Sequence, residues 1–433
     1  MIFKIEDGLY YDNNKMYIIK GDERKDEYLR NYEMFDFPKE GKSRAKYPTL
    51  IFLSSTTCNL ECKYCFADKG TYRDVSKKTS FTKEDYIEIF NTVLKKSGGV
   101  QAISFFGGEP IVNIKEIEKF VEYMYEIYDV ENIPPMSIST NGTIMNDSIK
   151  DFIVKYGIAI GTSLDGIKEH NDINRIGCGI NSVYDSVERT LHILSENNIR
   201  TGLQFTVNHS HITNYQKGDY MDWIKKLENL GIDSFEIVAV TSNLEDIQIN
   251  MNDEKIFTNY TMLCNDISEY SLNALVTGET TRIPNVFIGT IISIVKRLYQ
   301  KECGAGKSFS FSPDKRIYPC HVCASDEEYG CDFDENYLDN TKVVEKFMEV
   351  KNMTKKDFHK CNKCIASSVC TYFCKAMMEK MDYELLEPRC YMMQVFMNRT
   401  IKFLAHDFND NRFKIEANVA KIYASRLGTV NIY

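Results

Sequence analysis

Three cysteines, Cys58, Cys62 and Cys65, lie close together with the spacing CxxxCxxC. Thiolates at this spacing can hold a metal centre, and a [4Fe-4S] cluster usually takes four cysteine ligands. Three ligands would leave one iron of such a cluster open to another molecule. The apolar residues 49–54 come just before and predict a buried strand, so the cysteines would lie on the loop after it. Taken alone, the spacing also permits a zinc loop or a group of reduced core cysteines.

Glycine-rich and polar motifs follow later apolar runs in the same way. Gly-Gly-Glu-Pro at 107–110 comes directly after the apolar residues 102–106, and two adjacent glycines let the backbone approach a ligand closely. Ser-Thr-Asn-Gly at 139–142 and Ser-Leu-Asp-Gly at 163–166 end two further runs, and Arg175 follows the second of them. Each motif alone fits an ordinary strand-to-helix turn. Their order and spacing support one another.

Together these motifs resemble the radical S-adenosylmethionine (SAM) superfamily, whose signature is this three-cysteine loop with an aromatic residue beside the third cysteine. The resemblance implies that Cys58, Cys62 and Cys65 are catalytic, as the ligands of a [4Fe-4S] cluster. It implies that SAM chelates the open iron and is cleaved to a 5'-deoxyadenosyl radical, with electrons from a protein such as flavodoxin or ferredoxin. The implied SAM-binding residues are Phe66, Gly107, Gly108, Glu109, Asn141, Ser163 and Arg175.

The order of apolar runs predicts the fold. Six runs alternate with segments of helical period, whereas a closed TIM barrel has eight β/α units. We therefore expect an α/β fold with a partial, open (β/α)6 TIM-like barrel whose active face lies at the carboxyl ends of its strands. An open barrel has a lateral mouth, which suits a polypeptide substrate. The runs lie near 50–54, 102–106, 136–139, 158–163, 202–207 and 235–240.

Composition narrows the class of protein. The chain has 433 residues, of which 43% are hydrophobic, and this is enough for a large core. Its longest apolar stretch, near 286–295, is too short for a membrane span, and no signal peptide is visible. Fourteen cysteines without a secretion signal predict metal ligation in the cytoplasm rather than disulfides. A net charge of -9 argues against broad nucleic-acid binding, and we expect a monomer.

The last third of the chain carries a second group of cysteines. Its centre has the spacing CX2CX5CX3C, and it resembles the SPASM extension of peptide-modifying radical SAM enzymes. A zinc ribbon built from the pairs Cys320/Cys323 and Cys361/Cys364 would leave the other four cysteines of the group without a role. The fold class expected therefore includes a C-terminal cysteine-rich SPASM domain. The cysteines that match its pattern are Cys303, Cys320, Cys361, Cys364, Cys370, Cys374 and Cys390.

The SPASM pattern implies two auxiliary [4Fe-4S] clusters, and therefore three clusters in all. Auxiliary II takes Cys361, Cys364, Cys370 and Cys390. Auxiliary I takes Cys303, Cys320 and Cys374, which is one ligand short of four. Three alternatives stay open: Cys323 completes the cluster, Cys331 completes it, or its fourth iron is free. A free iron could bind a thiolate of the substrate, because iron accepts soft sulfur ligands.

The same observations predict the domain boundaries. Residues 49–245 form the radical SAM core, residues 246–300 a mainly helical linker, and residues 301–433 the SPASM domain with C-terminal helices. Residues 1–48 are an N-terminal extension. They are either a reduced form of the recognition element that captures a leader peptide, or a cap on the open end of the barrel.

The loop around Cys65 also suggests a reaction. Tyr64–Ala67, followed by Gly70-Thr-Tyr at 70–72, resembles the loop of maturases of the sactipeptide and ranthipeptide (SCIFF) type. Those enzymes join a Cys sulfur to a carbon of another residue. The function expected is thioether formation in a ribosomally made, Cys-containing precursor peptide. The radical would take hydrogen from the acceptor carbon, and no protein general base is required there.

Other functions fit the same scaffold. One is anaerobic maturation of a sulfatase, in which a Cys or Ser becomes formylglycine; this needs a carboxylate base, for which Asp314 or Asp326 are candidates. Carbon-carbon crosslinking is another. A pure electron carrier is a third alternative, but such a protein would complete its first cluster with a fourth cysteine.

Overall fold

The computed structural model begins with a small antiparallel sheet. β1 (Ile2–Glu6), β2 (Leu9–Asp12) and β3 (Tyr17–Lys20) pair in that order. The helix α1 (Asp22–Arg30) follows and packs on the sheet through the buried ring of Tyr28. The N-terminal extension thus has a small core of its own. The structure describes residues 1–40, 46–72, 78–279, 283–299, 303–380, 383–406 and 414–422.

Parallel strands then form the main sheet, and each overlaps one of the apolar runs in the sequence. Neighbours in the chain are neighbours in this sheet, and the sheet stays open. The expected (β/α)6 architecture is confirmed for the part of the chain that the structure describes. After a short β4 (Lys39–Glu40), the strands are β5 (Thr49–Ser55), β6 (Ala102–Gly107), β7 (Met136–Ser139), β8 (Ala159–Ser163), β9 (Thr201–Val207) and β10 (Ser234–Ala239).

Helices cover this sheet and account for the apolar character of its strands. Phe52 of β5 is fully buried and contacts Tyr86 and Phe120, whose rings stack with centroids 5.3 Å apart. Packing of helices on a parallel sheet buries its strands, so they consist mainly of apolar residues. The helices along this part of the chain are α2 (Lys83–Ser97), α3 (Ile114–Ile127), α4 (Asp147–Tyr156), α5 (Lys168–Asn174), α6 (Val183–Glu196), α7 (His209–Ile212) and α8 (Asp219–Glu228).

Local sequence signals fix the ends of these helices. α2 begins at a capping box, in which the Thr82 hydroxyl accepts from the Asp85 N–H and the Asp85 carboxylate accepts from the Thr82 N–H. It ends at Gly98, which has a left-handed φ of 69°. Such a residue closes the last turn without a Cβ penalty. The loops that leave the carboxyl ends of the strands are therefore held between well-defined elements.

The C-terminal third extends the main sheet, which the sequence did not predict. β12 (Ser308–Phe311) pairs in parallel with β5, so that Phe311 lies opposite Phe52. β13 and β14 continue the sheet in antiparallel pairs. The remaining elements are α9 (Glu254–Thr277), α10 (Asn285–Lys296), β11 (Leu298–Tyr299), β13 (Arg316–Tyr318), β14 (Cys331–Asp332), α11 (Thr341–Asn352), α12 (His359–Asn362), α13 (Lys375–Lys380) and α14 (Tyr383–His406), and residues 414–422 are helical.

The long helices α9, α10 and α14 pack against one another beside the sheet. Phe287 of α10 stacks on Phe396 of α14 with ring centroids 3.8 Å apart. The hydroxyl of Tyr260 on α9 donates to the carbonyl of Pro388 on α14 at 2.8 Å. Of the helices in the described ranges, none has the length and apolar character needed to cross a membrane.

The N-terminal sheet rests on the cysteine-rich region. The side-chain amide of Asn13 donates to the carbonyl of Cys364 at 3.2 Å and to the Ser367 hydroxyl at 2.6 Å. The backbone N–H of Ser368 donates to the Asn13 side-chain oxygen at 3.3 Å. Asn13 therefore ties the first hairpin to the loop that carries Cys364. Whether residues 1–48 also bind a leader peptide stays a prediction.

Candidate metal-cluster and cofactor site

A neighbouring segment of the chain holds the three-cysteine loop by its backbone. The N–H of Glu61 donates to the carbonyl of Ile176 at 2.7 Å, and the N–H of Lys63 donates to the carbonyl of Asn174 at 2.9 Å. The N–H of Cys178 donates to the carbonyl of Asn59 at 3.1 Å. The loop is thus paired almost like a strand with residues 174–178. These hydrogen bonds position the backbone of the cysteine loop.

The thiols of this loop are mostly buried and lie near one another. Cys58, Cys62 and Cys65 are each of intermediate exposure. Burial raises the pKa of Cys62 to about 12, and the negative charges of Cys65 and Cys58 contribute as well. Mutual repulsion of this kind requires thiols that lie close together. The structure therefore brings the predicted triad to one place, as the resemblance requires.

Behind the loop lies a buried ion pair. The Arg175 guanidinium donates from Nε and Nη2 to the two carboxylate oxygens of Asp165, both at 3.1 Å. The hydroxyl of Tyr64, between two of the cysteines, donates to the same carboxylate, and so does the N–H of Thr206 at 3.1 Å. Burial alone would lower the pKa of Arg175, but the adjacent Asp165 raises it above its ordinary value. Arg175 was predicted to bind SAM; in the structure its contacts support the cysteine loop through Asp165.

The Gly-Gly-Glu-Pro turn is joined to the residues that lead into the loop. The N–H of Gly108 donates to the carbonyl of Ser55 at 2.7 Å, and the N–H of Glu109 donates to the carbonyl of Thr57 at 2.9 Å. A Cβ on Gly108 would lie 2.4 Å from the carbonyl oxygen of Thr57, and one on Gly107 would lie 2.5 Å from that of Ser55. Only glycine permits this approach. The glycines thus set the position of the chain just before Cys58.

Glu109 is fully buried and links two strand ends. Its carboxylate accepts from the N–H of Ile111 at 3.0 Å, the hydroxyl of Thr140 at 2.7 Å and the N–H of Asn141 at 2.7 Å. Burial raises the pKa of Glu109 to about 7, and these hydrogen bonds limit the rise. A carboxyl group with this pKa can gain or lose a proton near neutrality.

Asn141 and Ser163 lie at neighbouring strand ends, as predicted. The amide of Asn141 donates to the sulfur of Cys58 at 3.7 Å and to the side chain of Asn59 at 2.8 Å. Ser163 is half-buried at the end of β8. Asn141 is therefore in contact with the cysteine loop, while the role of Ser163 in binding SAM stays a prediction.

Phe66 and Tyr72 lie where the barrel meets the cysteine-rich region. Phe66 is 43% exposed, and its ring is 6.4 Å from that of Phe106 and 6.1 Å from that of His321. Tyr72 is buried, and its hydroxyl donates to the carbonyl of Gly107 at 3.3 Å. Burial raises the pKa of Tyr72, and the charges of Cys65 and Cys320 act on it as well. Tyr72 thus stands between the first cysteine loop and the C-terminal cysteines.

The residues predicted for Auxiliary I come together in one buried group. Cys303, Cys320 and Cys374 pack against an apolar cluster that also includes Tyr72 and contacts Cys65. Burial raises the pKa of Cys374 to about 12, with the charges of Cys320 and Cys303 contributing. The structure thus gathers these three thiols beside the first cysteine loop. The separation between them in sequence gives no hint of this contact with Cys65.

The residues predicted for Auxiliary II line a separate cavity, together with Cys374. The buried ammonium of Lys355 donates to the carbonyl of Ser367 at 2.9 Å. Burial raises the pKa values of Cys361 and Cys370, and the positive charge of Lys355 opposes part of this rise. A buried cation stabilises a site that gathers several thiolates. The cavity is lined by Cys361, Cys364, Cys370 and Cys390.

The chemistry of these donor sets fits iron–sulfur clusters. Each set consists of cysteine thiols in a largely apolar setting, and thiolate is the ligand that iron–sulfur clusters take. Within the described ranges, no three His, Cys, Asp or Glu side chains converge as they would around a single metal ion. A cluster of several irons holds its ligands farther apart.

The chain matches known proteins in sequence. Residues 52–226 match the family model described as the Radical SAM superfamily. A cysteine-type anaerobic sulfatase-maturating enzyme of Clostridium perfringens (strain 13 / Type A) is 30% identical over 152 residues, which cover 34% of this chain and 40% of that enzyme. The matched segments span between 39% and 54% of the lengths of the first curated relatives. The sequence likeness thus concerns the barrel.

Solved structures show likeness over most of the chain. The structure of anSMEcpe with bound AdoMet and the Cp18Cys peptide has a TM-score of 0.66 at 19% identity, covering 84% of this chain and 99% of that one. Streptococcus suis SuiB bound to its precursor peptide SuiA has a TM-score of 0.50 at 12% identity, covering 90% of this chain and 96% of that one. The expected fold is confirmed. The match of residues 52–226 to the Radical SAM superfamily supports the expected [4Fe-4S] cluster and SAM.

Proposed function

We propose that this chain, which carries a radical SAM domain over residues 52–226, forms thioether bonds between a Cys sulfur and an acceptor carbon of a ribosomally made precursor peptide. The observation that carries the proposal is the position of Tyr72. This buried side chain lies between Cys65 of the first loop and Cys320 of the C-terminal group. Two redox centres separated by one aromatic side chain suit an oxidation in which the substrate loses one hydrogen atom and one further electron.

The proposed reaction balances as follows. A [4Fe-4S] cluster with SAM, when bound at the first loop, supplies a 5'-deoxyadenosyl radical that removes one hydrogen atom from the acceptor carbon. The peptide thiol loses its proton, its sulfur bonds to that carbon, and the one surplus electron would pass to the auxiliary iron–sulfur cluster that Cys303, Cys320 and Cys374 would hold. Each crosslink thus removes two hydrogens from the peptide.

The residues of this chain position the reactants. Cys58, Cys62 and Cys65 are the proposed ligands of the first cluster. The contacts of Glu109 and Asn141 fix the strand ends beside this loop. Phe66, Phe106 and His321 form an aromatic group at the partly exposed side of the site. We propose that the peptide enters along this side, because Phe66 is the exposed member of the group.

Formylglycine formation is the second candidate, and the relative from Clostridium perfringens is the reason to keep it. It requires a carboxylate base at the substrate carbon. The two candidate bases are engaged locally: Asp314 accepts from the Ser312 hydroxyl, and Asp326 accepts from the N–H of Glu328 at 2.8 Å. However, Ser325 donates to the carbonyl of Phe66 at 3.3 Å, so Asp326 lies one residue from the site. Of the two, Asp326 is the better candidate base.

Mass spectrometry distinguishes these reactions. The reduced protein is incubated with SAM and a Cys-containing precursor peptide, and the product is then treated with a thiol-alkylating reagent. Thioether formation removes two hydrogens and one alkylation site per crosslink. A carbon-carbon crosslink removes two hydrogens but keeps the alkylation site, and formylglycine formation replaces the thiol by an aldehyde. An unchanged peptide, with SAM cleaved, would contradict the thioether proposal for that peptide.

The open reading frames that neighbour the gene for this chain can indicate which peptide is its substrate. A short Cys-rich peptide encoded beside this chain is the first substrate to test. A sulfatase encoded there would instead favour the second candidate. The control in both cases is the triple variant Cys58→Ala/Cys62→Ala/Cys65→Ala, which should neither cleave SAM nor change the peptide.

A further inference from the structure

The sequence offers two cysteines, Cys323 and Cys331, as the missing fourth ligand of Auxiliary I. In the structure, the N–H of Cys323 donates to the carbonyl of Cys320 at 3.0 Å, which closes a tight turn. The turn therefore directs both side chains to the same place.

Cys323 also belongs to the same buried group as the other proposed ligands. It is 1% exposed and is a central member of the apolar cluster against which Cys303, Cys320 and Cys374 pack. Four cysteines thus lie together around one apolar cluster, and Cys323 is the buried member of the four.

Cys331 lies in different surroundings. It belongs to β14, opposite Ile317 of β13, and packs against the core on the other side of the sheet. Its charged neighbours are Arg316, Lys342 and Lys346, with which it lines a separate polar cavity. Its thiol is thus directed away from the group around Cys320.

We propose that Cys323 is the fourth protein ligand of Auxiliary I, so that this cluster has no open iron. This inference rests on the cluster assignments of the proposed function. It specifies that Auxiliary I takes part as an electron acceptor and not as a binding site for the substrate sulfur. A fully ligated cluster accepts electrons but does not bind a substrate sulfur. The peptide thiolate then reacts from the aromatic side of the site near Phe66, without coordination to iron. Tyr72 packs in the apolar cluster that contacts both Cys65 and Cys320.

Iron analysis and electron paramagnetic resonance (EPR) test the assignment on the full chain. The variants Cys303→Ala, Cys323→Ala and Cys331→Ala are reconstituted anaerobically beside the wild type, and circular dichroism checks that each is folded. With three cubanes the wild type should bind about twelve irons per chain. We expect Cys303→Ala and Cys323→Ala to lose the same cluster signal and up to about four irons each, whereas Cys331→Ala matches the wild type.

A small thiol probes the open position directly. In the reduced Cys58→Ala/Cys62→Ala/Cys65→Ala protein, which keeps Cys323, 2-mercaptoethanol should leave the EPR spectrum unchanged, because no iron of Auxiliary I is free. In a Cys323→Ala variant that retains its cluster, the same thiol should change the spectrum by occupying the vacant position. The first cluster is removed from both samples by the Cys58→Ala/Cys62→Ala/Cys65→Ala background, so that its open iron does not respond.

Three results would overturn the assignment. One is a response of the wild-type auxiliary clusters to the thiol, with iron content unaffected by Cys323→Ala. Another is loss of the cluster in Cys331→Ala but not in Cys323→Ala. The third is a disulfide between Cys320 and Cys323 in the reconstituted protein. If Cys303→Ala also keeps all of its iron, Auxiliary I itself is absent, and the electron acceptor of the proposed function fails together with the inference.

Discussion

The hydroxyl of Tyr64 donates to the carboxylate of Asp165, although the two residues are 101 positions apart. Tyr64 lies between Cys62 and Cys65, and Asp165 lies just after β8. This contact joins the first cluster loop, which follows β5, to the carboxyl end of β8. The same carboxylate accepts two hydrogen bonds from Arg175, so the buried Asp165 side chain supports the position of the cysteine loop.

Tyr64→Phe should destabilise the cysteine loop, because it removes the hydroxyl that donates to Asp165 but keeps the aromatic ring that fills the space. A hydrogen bond to a charged group contributes about 1.5–3 kcal/mol, so we expect a loss of this order in the free energy of unfolding of the cluster-free protein. Tyr125→Phe is the control, since the Tyr125 hydroxyl donates to a carbonyl far from the site at 3.3 Å. Urea denaturation measures both, and equal losses would argue against a special role for Tyr64.

The Asp165–Arg175 pair should show strong coupling. Arg175→Met leaves a buried carboxylate without its partner, which costs about 3–5 kcal/mol. Asp165→Asn alone should also be costly, but the double variant should lose clearly less than the sum of the two single losses. A double-mutant cycle in urea gives the coupling energy. Additive losses would show that the pair contributes nothing beyond its separate contacts.

Gly108→Ala should disturb the residues before Cys58, because the new Cβ would lie 2.4 Å from the Thr57 carbonyl oxygen. We expect lower iron content in the first cluster and reduced SAM cleavage. Gly289→Ala is the matched control: its Cβ has nothing within 4 Å, and it lies inside α10. That substitution should stabilise the protein by about 0.5–1 kcal/mol and leave iron unchanged. Normal cluster loading in Gly108→Ala would contradict the proposed role of this close approach.

Glu109 should make stability depend on pH. Burial raises its pKa from 4.5 to about 7, so the folded protein holds a proton that the unfolded chain releases between these values. The stability gained from protonated Glu109 is complete below the lower pKa and is lost as the pH rises through the higher one; the range corresponds to about 3 kcal/mol. Glu109→Gln should remove this slope.

Urea midpoints of the cluster-free protein from about pH 5 to about pH 8 test this dependence. Glu116→Gln is the control, because a hydrogen bond from Lys119 lowers the pKa of Glu116 and the residue stays ionised over this range. Its curve should run parallel to that of the wild type. A Glu109→Gln curve that is also parallel would contradict the predicted titration.

The sequence could predict the barrel because its strands carry their own signal. β5 to β10 are continuous apolar runs, and the motifs with Cys58, Gly108 and Asn141 each follow one of them. β12 could not be predicted in this way: it has four residues, and its place beside β5 depends on a pairing across more than half of the chain.

The site was predictable in its residue types but not in its contacts. Spacing could gather the cysteines into groups, yet it could not choose between Cys323 and Cys331, because each is compatible with the same local pattern. The proposal of Cys323 over Cys331 depends on two structural features: the turn that joins Cys323 to Cys320, and the pairing of β14, which places Cys331 at a different position. Arg175 likewise follows a motif that suggests SAM binding, while its partner Asp165 becomes apparent only when the sheet has formed.

The pairing of β12 with β5 also has a consequence for biosynthesis. After the ribosome has synthesised β5, the edge of β5 that pairs with β12 remains unpaired until some 250 further residues have been added. Iron loading of the whole enzyme must then wait for nearly the full polypeptide. A nascent chain halted before residue 300 would expose the unpaired edge of β5. Exposed strand edges promote aggregation.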